Sequence, residues 1–191
     1  MLRANQYFAL KKLAERVGRA AGDATAMLVS GKSRLDVELR RLCAEAGEEY
    51  LALTESLLHE GQPMEECGAV MMLGNALCRV LEAALETATL LRGRSVRVWA
   101  LFDRVRVSAT LTDLLVEMID HLEGDRGKRS DATLREFSEV SLRLAALGMR
   151  SFEDVLSCEE GGAALLLCSA LNRWRSALCA AHAAAVTLLA A

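Results

Sequence analysis

Apolar residues recur at alternating steps of three and four along nearly the whole chain, with one proline among 191 residues to interrupt them. That spacing keeps side chains on one face of an α-helix, whereas a half-buried strand would alternate every second residue. Leu10, Leu13, Val17, Ala20, Ala24 and Met27 form one stripe. Leu35, Leu39, Leu42, Ala46, Tyr50, Leu53 and Leu57 form the next, and Ala69, Leu73, Ala76, Val80 and Ala84 a third. Alanine and leucine, which lose little side-chain freedom in a helix, dominate a composition that is 52% hydrophobic and only 4% aromatic. The pattern predicts an all-α chain.

The breaks between helices are also legible. Ser30-Gly31-Lys32-Ser33 ends the first helix, and Ser33 with Asp36 resembles an N-cap for the second. Gly61-Gln62-Pro63 ends the second; Pro63 suits the first turn of the third, with Glu65 and Glu66 at its positive end. Arg92-Gly93-Arg94-Ser95 closes the first half. A fourth helix is expected over about 96–123 and a fifth over about 131–155, with Leu134, Phe137, Val140, Leu144 and Leu147 inward. Ser157 with Glu160 forms a capping box for a sixth.

Shifted by 94 residues, the chain matches itself: residues 65–83 lie over 159–177 with nine of nineteen positions identical. The paired glutamates, the glycine and Arg79 over Arg173 are harder to match by chance than alanine and leucine. The expected architecture is therefore two tandem antiparallel three-helix units, residues 1–94 and 95–191, in an elongated bundle.

Several functions lack a basis. A net charge of −3, with 23 basic residues scattered among 26 acidic ones, offers no basic face for nucleic acid. The apolar run 68–78 stops at Arg79 and the start lacks a long apolar h-region, so neither a bilayer span nor a secretory signal is expected. Cys43, Cys67, Cys78, Cys158, Cys168 and Cys179 form no C-x-x-C and read as small core residues. His59, His121 and His182 sit in different helices without a partner pattern, and no phosphate loop, dinucleotide fingerprint or nucleophile elbow occurs. No catalytic residue, cofactor or metal is assigned, and a cytosolic location is expected.

An aromatic-containing first helix (5–17), an acidic second helix (42–58) and a proline-containing turn (59–66) into a third make the chain resemble the PhoU-like phosphate-transport regulators. The resemblance includes the accessory proteins of low-affinity phosphate transporters. It implies a cytoplasmic regulator, peripheral to the inner face of the membrane, that binds a phosphate transporter or a signalling kinase and forms a dimer. Members of that family carry carboxylate pairs four residues apart on neighbouring helices, which hold metal clusters in some of them. Here Glu45 and Glu49 remain on the second helix, but the facing positions are Asn75 and Arg79; in the second half Glu139 and Arg143 stand against Ser169 and Arg173.

A hairpin about residue 62 sets Glu45 opposite Arg79 and Glu49 opposite Asn75, and its equivalent about residue 156 sets Glu139 opposite Arg173. Two repeat-related Glu–Arg pairs are thus expected where relatives hold metal, the guanidinium supplying the positive charge. The other reading keeps a metal or an enzyme on Glu45, Glu49, Glu82 and Glu86, clustered at one end of the first hairpin. A third is a helical adaptor without a phosphate role. Trp174 and Arg175 are candidates for a partner-binding tip, against the plainer reading of Trp174 as packing between bundles. The apolar stretch 179–191 is expected to be buried in the bundle or against another subunit.

Overall fold

The structure is a computed structural model that describes residues 3–30, 34–59, 64–91, 99–122, 128–156 and 161–190. These residues are helical almost throughout, in six elements: α1 (Ala4–Ser30), α2 (Arg34–His59), α3 (Met64–Leu91), α4 (Trp99–Asp120), α5 (Lys128–Leu156) and α6 (Gly161–Ala190). The fold is all-α. The caps expected at Ser33, Pro63 and Ser157–Glu160, and Cys158, lie outside the described residues. The fifth helix begins at Lys128 rather than 131, with Asp131 supplying an acid to its first turn.

The apolar stripes are what the helices bury. Leu10, Leu13, Val17, Ala20, Ala24 and Met27 of α1 are all buried, as are Leu39, Leu42, Ala46, Leu53 and Leu57 of α2. In α6 the C-terminal stretch is buried on one side only: Ala181, Ala184, Ala185 and Leu188 face inward, while Ala180 and Ala183 are exposed. An exposed methyl group is tolerated at little cost, so an alanine-rich helix need not be covered all round.

The helices α1, α2 and α3 touch one another, and α4, α5 and α6 do likewise. Across the halves α1 packs on α4, and α3 makes its most extensive contact with α6. Helices α1, α3, α6 and α4 thus close a central ring of four, with α2 flanking α1 and α3, and α5 flanking α4 and α6. A single hydrophobic core draws on all six helices. Residues 67–91 of α3 are long and apolar enough to cross a membrane, with a mean hydropathy of 1.4, although half of that stretch is buried among its neighbours. The sequence reading stopped the apolar run at Arg79; the helix continues through that residue to Leu91.

Consecutive helices within each half run antiparallel. Asn5 meets Ser56 while Arg16 meets Glu45 and Glu49, and Cys78 Sγ lies 3.9 Å from the Ala46 carbonyl while Gly74 lies beneath Tyr50. At Gly74 the approach is close: a Cβ there would stand 2.9 Å from Tyr50 Cδ2 and 3.4 Å from Leu53 Cδ2. Gly22, exposed on α1, would meet nothing within 4 Å.

These two glycines should respond oppositely to the same substitution. Gly22→Ala gains the helix propensity of alanine and is expected to stabilise by roughly 0.5–1 kcal/mol. Gly74→Ala gains the same propensity but must displace the Tyr50 ring, an overpacking cost of about 1–3 kcal/mol, for a net destabilisation near 1 kcal/mol. Urea denaturation of both variants checks the signs.

Candidate functional site

Helix α2 presents Ala46 and Tyr50 to α3, and those contacts fix the height of the hairpin where the sequence placed it, about residue 62. The rotation is different. Glu45 and Glu49 each lie one residue, or about 100° of helix, from that seam and turn toward α1. There Arg16 Nε donates to Glu49 Oε2 at 3.0 Å, Nη2 donates to Glu49 Oε1 at 2.8 Å, and Nη1 pairs with Glu45 Oε2. Arg41, one turn before Glu45, approaches its other oxygen at 3.7 Å. The expected Glu45–Arg79 and Glu49–Asn75 pairs do not form. Arg16 is thus level with residues 45–49 of α2, a height that hairpin geometry allows, while the rotation that selects this pairing is set by packing.

The second expected pair fails for an axial reason. Phe137 stacks on His182 with ring centroids 4.2 Å apart, and Ser141 lies 3.9 Å from Cys179. These contacts set residue 139 level with residues 180–181, about two helical turns beyond Arg173. Glu139 is exposed on α5, and Arg173 turns instead to α3. Its Nε donates to Glu86 Oε2 at 3.0 Å, its Nη2 pairs with Glu86 Oε1, and Nη1 donates to Ser169 Oγ at 3.0 Å.

The Glu86–Arg173 bridge spans a groove of about 580 Å³ between α3 and α6, lined by Arg79, Glu82, Glu86, Asn172, Arg173 and Ser176 among others. It brings together two predicted site residues, Arg79 and Arg173, and excludes Glu45, Glu49 and Glu139. Arg79 is exposed and makes no ion pair among the described residues. The four acids proposed as a metal site are dispersed: Glu45 and Glu49 are held by Arg16, Glu86 by Arg173, and Glu82 stands on the groove wall. Among the described residues no three His, Cys, Asp or Glu side chains converge.

Trp174 is fully buried, so it cannot form a partner-binding tip; it fills the interior of the bundle, with its indole nitrogen unpartnered. Arg175 is half-buried and its Nε is enclosed without a partner. Among the cysteines, Cys168 is buried, Cys43, Cys67 and Cys78 pack at the core margin, and Cys179 is exposed. Burial and the nearby Glu82 push the thiols of Cys43 and Cys78 up to about 11, so neither is a poised nucleophile.

The sequence reading missed Arg104. It sits within the buried stripe of α4 (Leu101, Val105, Ser108, Leu111) and is only 1% exposed. Its Nη1 donates to Ser151 Oγ and Cys168 Sγ, both at 3.1 Å, and Nη2 donates to Asn172 Oδ1 at 2.6 Å. A charged residue at a stripe position was the available signal.

Two measurements follow from these contacts. A double-mutant cycle on Arg16 and Glu49 should return a coupling of about 1 kcal/mol, whereas Glu45 with Arg79 should return none. Burial holds the His182 imidazole below its ordinary 6.5, so the folded chain resists a proton that the unfolded chain accepts. Its contribution is intact above about pH 6.5 and is lost as pH falls below that value; His182→Leu should flatten the decline in Tm between about pH 6.5 and 5.

Comparison with protein-family models gives no match for this chain, and none of the curated proteins matches it.

Proposed function

We propose that the chain is a PhoU-like regulatory or accessory protein that acts by binding alone. In this reading it is a cytoplasmic, duplicated helical protein, peripheral to the inner face of the membrane and able to dimerise. It docks on a membrane phosphate transporter or its signalling kinase and biases that partner between conformations. The observation that carries the reading is the set of neighbours: in each triplet all three helices touch one another, and the triplets meet through α1 with α4 and α3 with α6. The repeated E-E-x-G-A signature at 65–69 and 159–163 supports the same kinship.

The α3–α6 groove is the docking face in this proposal. Arg79 projects there without an ion pair among the described residues, and Arg173 is held extended by Glu86. Exposed, fixed guanidinium groups suit a partner surface bearing carboxylates.

Affinity capture on the tagged chain is expected to recover a phosphate transporter or its kinase, and deletion of the gene to deregulate phosphate uptake. Arg79→Glu should weaken capture by roughly tenfold while leaving Tm within about 1 °C, because an exposed, unpaired side chain is being replaced. Unchanged uptake together with no transporter or kinase recovered would reject the proposal.

A further inference from the structure

An arginine cannot relieve burial by giving up its proton, so an interior guanidinium stays charged and must be answered by an acceptor or an anion. Arg104 is answered only by neutral groups: a hydroxyl, a thiol and an amide oxygen. It makes no ion pair with any carboxylate among the described residues. Three of its five N–H donors are used, and the buried Nε is unpartnered, as is one hydrogen on Nη2.

Beside this guanidinium, and separated from it by the wall, lies a groove of about 370 Å³ between α5 and α6. Its wall includes Gly148, Met149, Glu153, Cys168, Asn172 and Arg175. Two of these, Cys168 and Asn172, are direct hydrogen-bond partners of Arg104. At Gly148 the wall comes close to the guanidinium: a Cβ built there would lie 3.8 Å from Arg104 Nη2 and 3.9 Å from Cζ. Glycine therefore leaves the guanidinium covered by backbone alone at that point. Arg175 brings a second guanidinium to the same groove, with its own Nε buried and unpartnered. Glu153 is an exposed carboxylate on the wall and opposes an anion from the rim.

We propose that the α5–α6 groove is a binding site for a small oxyanion, held by the half-buried Arg175 at the wall and by the field of the enclosed Arg104 behind it. The ligand class is a compact carboxylate or phosphate. Such an anion accepts hydrogen bonds from Arg175 and Asn172 at the wall and supplies, across the Gly148 backbone, the counter-charge that Arg104 lacks. The site shares Asn172 alone with the lining of the α3–α6 groove and does not depend on the regulatory reading above.

The test is calorimetric titration of the full chain with inorganic phosphate and, separately, with acetate, each against sodium chloride at matched ionic strength. A saturable one-site heat above the chloride control is expected with at least one probe, and the pair separates a tetrahedral dianion from a planar monoanion. Arg104→Met should bind at least about tenfold more weakly while remaining folded, since a buried charge is replaced by an apolar side chain of similar length. Gly148→Leu, which places a side chain between the groove and the guanidinium, and Arg175→Gln, at its wall, provide variants that keep Arg104 itself; each should also weaken binding. No saturable heat with either probe overturns the proposal, as does wild-type affinity in Arg104→Met or, should that variant not fold, in both Gly148→Leu and Arg175→Gln.

Discussion

The contact between α3 and α6 organises the molecule. These two helices carry the most apolar sequences, and each packs against three others, so displacing either would open the core on several sides at once. Small side chains, Ala83, Ala177 and Ala180 among them, border the groove between these helices. The same small residues leave the outer groove that Arg79, Glu86 and Arg173 then fill with charge. Close packing and an exposed polar groove are two consequences of one choice of residue size.

The three arginines that matter occupy three depths, and only the most enclosed of them faces no carboxylate among the described residues. Arg173, the most exposed, has Glu86 and a serine. Arg16, partly buried, has both Glu45 and Glu49. Arg104, almost wholly enclosed, has none among the described residues. An exposed pair contributes little because water already solvates both ions, while removing a partly buried charge from two acids leaves them facing each other. An enclosed cation answered only by dipoles is the costly case, and its position beside a groove gives that cost a physical reason.

Much of the architecture could be read from the residues. The 3–4 stripes named the inward faces of α1 and α2 almost completely, and the hairpin centre at residue 62 matches the heights at which Ala46 meets Cys78 and Tyr50 meets Gly74. The charge pairs could not be read in the same way. A helix turns by 100° per residue, so a correct height with an error of one residue in facing sends Glu45 and Glu49 to a different neighbour. In the second half the height itself differs, because α5 and α6 are joined through residues 157–160 and set their register by Phe137 on His182, not by the 94-residue offset.

Sequence alone determined that the chain is helical, where its helices begin and end to within a few residues, and which side of each is apolar. Those properties are local: they depend on propensity, periodicity and breakers within a turn or two. The tertiary structure decided which helices are neighbours, which acid each arginine meets, and that Trp174 and Arg104 are interior. Those outcomes depend on rotation and sliding between helices, set by side-chain packing across the whole core, which no stretch of sequence contains by itself.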